Sequence, residues 1–153
     1  NYSSSILLLA QLDLESVGTA VAIRRLEEAT VSLPNDASLF FQLGFLRYRT
    51  GDFRGAVTAL ERVLILSPGN VNANASYFLG LSYAELGEKD KALGQFEIIA
   101  RFNPDKTEIN AIIKNIRAGR NPLSGLGVAT ISSDSGGPEN TDSAAANGEE
   151  SDL

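Results

Sequence analysis

The chain has 153 residues, 43% of them apolar, which is enough for one domain with a core of its own. It contains neither cysteine nor histidine, which excludes disulfides, Cys/His zinc sites, thiol nucleophiles and every histidine-based triad. Its net charge of −6 is unevenly placed: residues 1–120 hold all 13 Lys+Arg and 13 of the 19 Asp+Glu, and the other six acids fall in 121–153. The body is therefore neutral and lacks the basic bias that a phosphate backbone demands, so no nucleic-acid partner is expected. The longest apolar run, Ile6 to Ala10, is far short of the roughly 18–20 residues of a membrane span, and no signal peptide is visible. The chain starts at Asn1 and has no Met, so it reads as a segment of a longer polypeptide, with compartment left open.

In chain order, helices are expected over about 4–15 and 19–32, then 37–50 and 53–66, then 73–86 and 89–102, with a lone last helix over Asp105–Arg117. In the helix 37–50, Phe40, Leu43 and Arg47 share one face, with Phe41, Phe45 and Tyr48 alongside. The next helix carries Ala56, Leu60 and Val63 at i, i+4 and i+7, a helical stripe. Pro34, Pro68 and Pro104 close the three pairs, since proline cannot continue a helix. Ile109, Ile112, Ile113 and Ile116 give the last helix one apolar side.

The pairs are copies of one another. Gly44 and Gly80, Gly51 and Gly87, Ala56 and Ala92, and Pro68 and Pro104 are each 36 residues apart. At an offset of 34, Pro34 precedes Pro68, Ala22 precedes Ala56, Leu26 precedes Leu60, and Leu9-Ala10 precedes Leu43-Gly44. The glycine of the first copy is shifted, Gly18 lying 33 before Gly51, and the longer later spacing falls in the loop Gly69–Asn72. Gly44, inside a helix, is read as a close approach to the partner helix that carries Ala56. Gly51 is read as the left-handed residue just past a helix end, with Asp52 capping the next helix.

These residues resemble the tetratricopeptide repeat, a unit of about 34 residues with the pattern W-x2-L-G-x2-Y…A-x3-F…P. In the second copy Phe40 stands in the Trp place, followed by Leu43-Gly44, Ala56, Leu60 and Pro68. In the third, Leu79-Gly80, Tyr83, Ala92, Phe96 and Pro104 match, with Ser76 in place of the aromatic. The first copy matches at Ile6, Leu9, Ala10, Ala22, Leu26, Ala29 and Pro34 and departs at Asp13; the second departs at Arg47. The phrases "LFFQLGFLRYRTGDF" and "YFLGLSYAELGEKDKALGQFE" are also similar to tetratricopeptide segments at the C-termini of bacterial membrane glycan polymerases and ligases.

The resemblance implies an all-α fold, a right-handed α-solenoid of three antiparallel helix pairs plus a terminal capping helix. The repeats span about 3–36, 37–70 and 73–104, the capping helix about 105–118, and the whole repeat domain 1–120. By the same resemblance a concave face is lined by Ser38, Phe41, Phe45, Tyr48 and Arg49, then Asn74, Tyr77, Leu81, Ala84 and Glu85, and in the first copy Leu7, Gln11 and Leu14. Only Arg49 and Asn74 have the chemistry of a carboxylate clamp, and they belong to different repeats. An aromatic face suits an amphipathic helix or an extended apolar peptide instead. The expected function is a non-catalytic scaffold that binds a protein or peptide, without cofactor or metal. The alternative is an accessory domain of a larger membrane-tethered glycan enzyme, with a membrane domain upstream.

Other features are read as incidental: the sequons at Asn1 and Asn74, the cluster Arg47, Arg49 and Arg54 as a solvated edge, the "GLG" at Gly125–Gly127, and Asp134, Glu139 and Asp142, which miss the calcium-loop spacing. Over 121–153, Leu, Ile, Val and Phe make up 5 of 33 residues. Such a segment cannot bury enough apolar surface to offset its ordering entropy, so a disordered acidic tail is expected. Its first part, "NPLSGLGVATI", is expected to lie against the last helix.

Overall fold

The structure is a computed structural model that describes residues 2–69 and 72–127. Among these residues the chain forms seven helices and no strand: α1 (Tyr2–Ser16), α2 (Thr19–Ser32), α3 (Ala37–Arg49), α4 (Phe53–Leu66), α5 (Ala73–Glu85), α6 (Lys89–Phe102) and α7 (Thr107–Arg117). Each packs on its neighbours in the chain, with weaker contact between α1 and α3 and between α3 and α5. That nearest-neighbour pattern is the mark of an all-α solenoid. The six paired helices fall where the repeat predicts them. The seventh begins at Thr107 rather than Asp105, because Pro104 and Asp105 form the turn ahead of it.

Helix ends are set by local chemistry. Asp36 accepts from the backbone N–H of Ser38 and Leu39 (3.0 and 3.3 Å), Asp52 from that of Gly55 (2.9 Å), and Asn72 from that of Ala75 (3.0 Å). These bonds satisfy donors that a helix start leaves free. At the end of α3, the Gly51 N–H donates to the Tyr48 carbonyl (3.1 Å) and the Asp52 N–H to the Arg47 carbonyl (2.9 Å). Gly51 has φ +82°, and the paired bonds are a Schellman cap. Gly87 repeats the arrangement for α5 at φ +77°. Nothing lies within 4 Å of a Cβ added at Gly51, so a side chain there meets only the left-handed backbone penalty. Gly51→Ala is expected to lower stability by about 1 kcal/mol; an unchanged urea midpoint would count against the cap.

Gly44 lies close against α4, the helix that carries Ala56, as the sequence suggested. A Cβ at this position would lie 2.7 Å from Leu60 Cγ and 3.3 Å from Ala59 Cβ. At Gly80 the added carbon would lie 2.7 Å from the Phe96 ring. At both positions the nearest atoms belong to a large side chain. Each glycine is a socket in the first helix of a pair, and the large side chain of the second helix fills it. Leu60 and Phe96 are both fully buried there.

A ladder of acceptors joins one repeat to the next. Glu27 on α2 accepts from Arg47 on α3 (2.5 Å), Glu61 on α4 from the Tyr83 hydroxyl on α5, and Glu97 on α6 from Arg117 on α7 (2.8 Å). Arg47, read from the sequence as part of a solvated cluster, is instead half-buried and paired. It also lies 3.6 Å from Asp52. It occupies the place where the family pattern has Tyr, and it reaches the same acceptor by a longer side chain. In the first copy Asp13 holds that place and pairs within its own hairpin with Arg25 (2.5 Å).

The two ends of the solenoid differ. Past α7 the buried Asn115 side chain donates to the carbonyls of Pro122 (3.0 Å) and Ser124 (2.8 Å). Pro122 is buried, and Leu123 and Leu126 pack against the core. Residues 121–127 thus lie along α7. The acidic tail expected beyond them, with Asp134, Glu139 and Asp142, lies outside the described residues, as does Asn1. At the other end Ala10 is buried but Leu9 is 44% exposed, whereas Leu43, its counterpart, is 4% exposed.

Candidate peptide-binding face

The aromatic side chains of α3 and α5 meet because the two helices occupy the same place in successive repeats. The Phe41 and Phe45 rings are one turn apart on α3 and stack at 6.4 Å, 9° from parallel. Phe78 of α5 stands edge-on to Phe45, with centroids 4.9 Å apart, and lies 5.5 Å from both Tyr48 and Tyr77 and 6.4 Å from Phe41. Five rings therefore form one contiguous set with Phe78 at its centre. Each is half-buried, so the set both joins two repeats and presents a surface. Offset and edge-to-face rings contribute about 0.5–1.5 kcal/mol per pair beyond the area they bury.

The rim is charged. The Arg49 guanidinium lies 5.7 Å from the Phe45 ring centroid, a cation–π arrangement. Arg49, Glu85, Asn74 and Ser38 are exposed. Tyr77 reaches α6 and α7: its ring meets Phe96 edge-on at 5.8 Å, and its hydroxyl donates to Glu108 (3.1 Å). Leu81 is 4% exposed, so it supports the face from beneath and offers no surface to a ligand. Ala84 is half-buried, as are Leu7 and Leu14 on α1, where Gln11 is exposed and bonded to Glu15 (2.8 Å).

Of the residues singled out from the sequence, the structure brings Phe41, Phe45, Tyr48 and Tyr77 together. Phe78 was missed. The repeat pattern assigned one ligand-facing aromatic to this part of α5 and Tyr77 filled the place. Adjacent helix residues point about 100° apart, so a doubled aromatic places one ring toward each neighbour, and that doubling was the available signal. Outside this face, a cavity of about 410 Å³ lies between α2, α3 and α4, with Phe40, Leu43 and Ala59 among its lining residues and Arg47 and Arg62 at its edge.

Burial pushes the Tyr77 hydroxyl up from its ordinary 10.0 to about 12, with the Glu108 charge adding to it. Tyr48 moves the same way through burial and then Glu85. A raised folded-state value means that the neutral hydroxyl is the stabilised form. Its contribution is complete below pH 10 and is lost as pH rises from 10 through 12. Tyr77→Phe is therefore expected to flatten the fall of the urea midpoint between pH 10 and 12. Equal slopes for the two proteins would dismiss the Tyr77–Glu108 bond as a contributor.

Among the described residues no group of three His, Cys, Asp or Glu is placed to hold a metal, and no helix is long and apolar enough to cross a membrane. A family profile described as tetratricopeptide repeat matches residues 41–106. A comparison with curated protein sequences returned no match. Two crystal structures of MamA are similar to this chain, each with a TM-score of 0.68 and 27% identity over 76% of it. The chain spans 62% of the first of those chains and 67% of the second. The profile match, the seven helices of the described residues and these neighbours agree: residues 41–106 belong to the tetratricopeptide repeat family, and the described residues carry its all-α solenoid fold.

Proposed function

We propose that the chain is a non-catalytic scaffold that seats a peptide or an amphipathic helix on the aromatic face of α3 and α5. The observation that carries this reading is the contiguous set of Phe41, Phe45, Tyr48, Tyr77 and Phe78, all half-buried and rimmed by Arg49 and Glu85. Rings that brace one another across two helices cannot turn inward, so their outer faces stay available at little entropic cost. Aromatic anchors of this kind supply most of the energy at protein interfaces. The ligand that fits presents apolar side chains to the rings and a polar flank to the rim. Arg49 and Asn74 lie on different helices, which supports side-chain recognition over capture of a terminal carboxylate.

The test is a Phe45→Ala/Tyr77→Ala double variant. A ligand captured by the parent protein is expected to lose roughly 30-fold or more in affinity, the effect of truncating an interface hot spot. Circular dichroism should show the helical signal retained. A folded double variant that keeps full affinity for every ligand of the parent assigns these rings to packing alone.

A further inference from the structure

The outer side of α1 exposes apolar side chains that the rest of the solenoid covers. Leu9 and Leu12 are 44% and 50% exposed, and Leu8 is exposed beside them. Thirty-four residues on, their counterparts Leu43 and Leu46 are 4% and 1% exposed. What covers them is the second helix of the preceding repeat: Leu43 and Leu46 share a core with Ala22, Leu26 and Ala29 of α2. Leu79 stands in the same relation to Ala56, Leu60 and Val63 of α4. The second helices α2, α4 and α6 thus carry one stripe at i, i+4 and i+7, the third example being Ala92, Phe96 and Ile99.

All three stripes are occupied within the molecule. α2 lies between α1 and α3, α4 between α3 and α5, and α6 between α5 and α7. A second copy of the chain therefore has no free stripe to offer from its described residues. The opposite end is closed by residues 121–127 on α7. We propose that the outer face of α1 is an open repeat joint. Its occupant is a helix of the chemistry shared by α2, α4 and α6: a small residue, a large apolar one four places later, and an aliphatic one three places after that. It lies antiparallel to α1, ahead of it in the solenoid, as α2 lies on α3.

The 34-residue offset dictates the test. A copy of residues 19–34 placed directly before Asn1 puts the copied helix in the register that α2 holds to α3. This extended protein should stay monomeric, unfold at higher urea than the 153-residue chain, and show amide exchange in α1 slowed roughly tenfold or more, the factor that burying one leucine supplies. Leu12→Asp should remove those gains from the extended protein and leave the urea midpoint of the 153-residue chain unchanged. Leu26→Asp made only in the added copy should also remove them. An extended protein no more protected than the original overturns the proposal. So does a 153-residue dimer, seen by sedimentation, that Leu12→Asp dissolves, because a second copy is then the occupant.

Discussion

Phe96→Ala is expected to cost about 3–5 kcal/mol, the range for removing a fully buried aromatic side chain. The ring stands at the centre of the third repeat. It fills the space left by Gly80 and meets the Tyr77 ring edge-on at 5.8 Å. Its removal leaves a void between α5 and α6, and two hydrogen-bonded helices cannot close on it without losing their contacts to α4 and α7. The cost depends on how far a site can collapse, and this one is held on both sides. Urea unfolding measures it. Amide exchange should show the loss concentrated in α5–α7, because the units of a solenoid support only their neighbours. A loss below 1 kcal/mol would show that the ring does not wedge the pair apart.

Gly80→Val tests the same joint from the other side. Its added carbon meets three atoms of the Phe96 ring at 2.7, 3.0 and 3.1 Å, well inside contact distance. A flat ring that is fully buried cannot rotate out of the way, so the helices must part. Overpacking of this kind costs about 1–3 kcal/mol, and the better helix propensity of valine returns only a few tenths. Gly94, inside α6 with nothing within 4 Å of an added Cβ, is the internal control. There Gly→Ala should gain up to about 1 kcal/mol from propensity alone. If Gly80→Val is as harmless as Gly94→Ala, the socket is not required. Combining Gly80→Ala with Phe96→Leu should recover part of the loss, since residues in contact couple by about 0.5–3 kcal/mol.

The fold was legible in the sequence because its signals are local and repeated. Gly51 and Gly87 mark helix ends by conformation, Asp52 marks a helix start by its hydrogen bond, and Pro68 and Pro104 mark the ends of pairs. None of these depends on a distant contact, and the repeat offset supplies the glycine and proline signals twice. The partner helix of Gly44 was legible, but the side chain that fills its place was not. A glycine announces that something comes close, but whether the visitor is Ala56 or Leu60 depends on helix rotation, which no spacing encodes. Arg47 was misread for a related reason. Its acceptor, Glu27, lies 20 residues away on another repeat, and a charge cluster within one helix pair gives no hint of it.

The candidate face shows the same division. Phe41, Phe45 and Tyr48 lie on one helix and were found together by periodicity. Phe78 joins them only through the α3–α5 juxtaposition, so a reading of single helices passes over it. Leu81 was placed on the face by its repeat position, yet it is buried. A position names a direction, and what stands in that direction is decided by the neighbouring repeat.

The acceptors Glu27, Glu61 and Glu97 recur at the repeat offsets of 34 and then 36 residues, while their donors differ: Arg47, Tyr83 and Arg117. The seam between units is thus standardised on one side only. A tandem gene duplication of one unit would arrive with its carboxylate already in register, and the incoming unit needs just one side chain, cationic or hydroxylic, to engage it. Lineages of this architecture can therefore grow or shrink by whole units, with a single codon left for selection to tune at each new boundary.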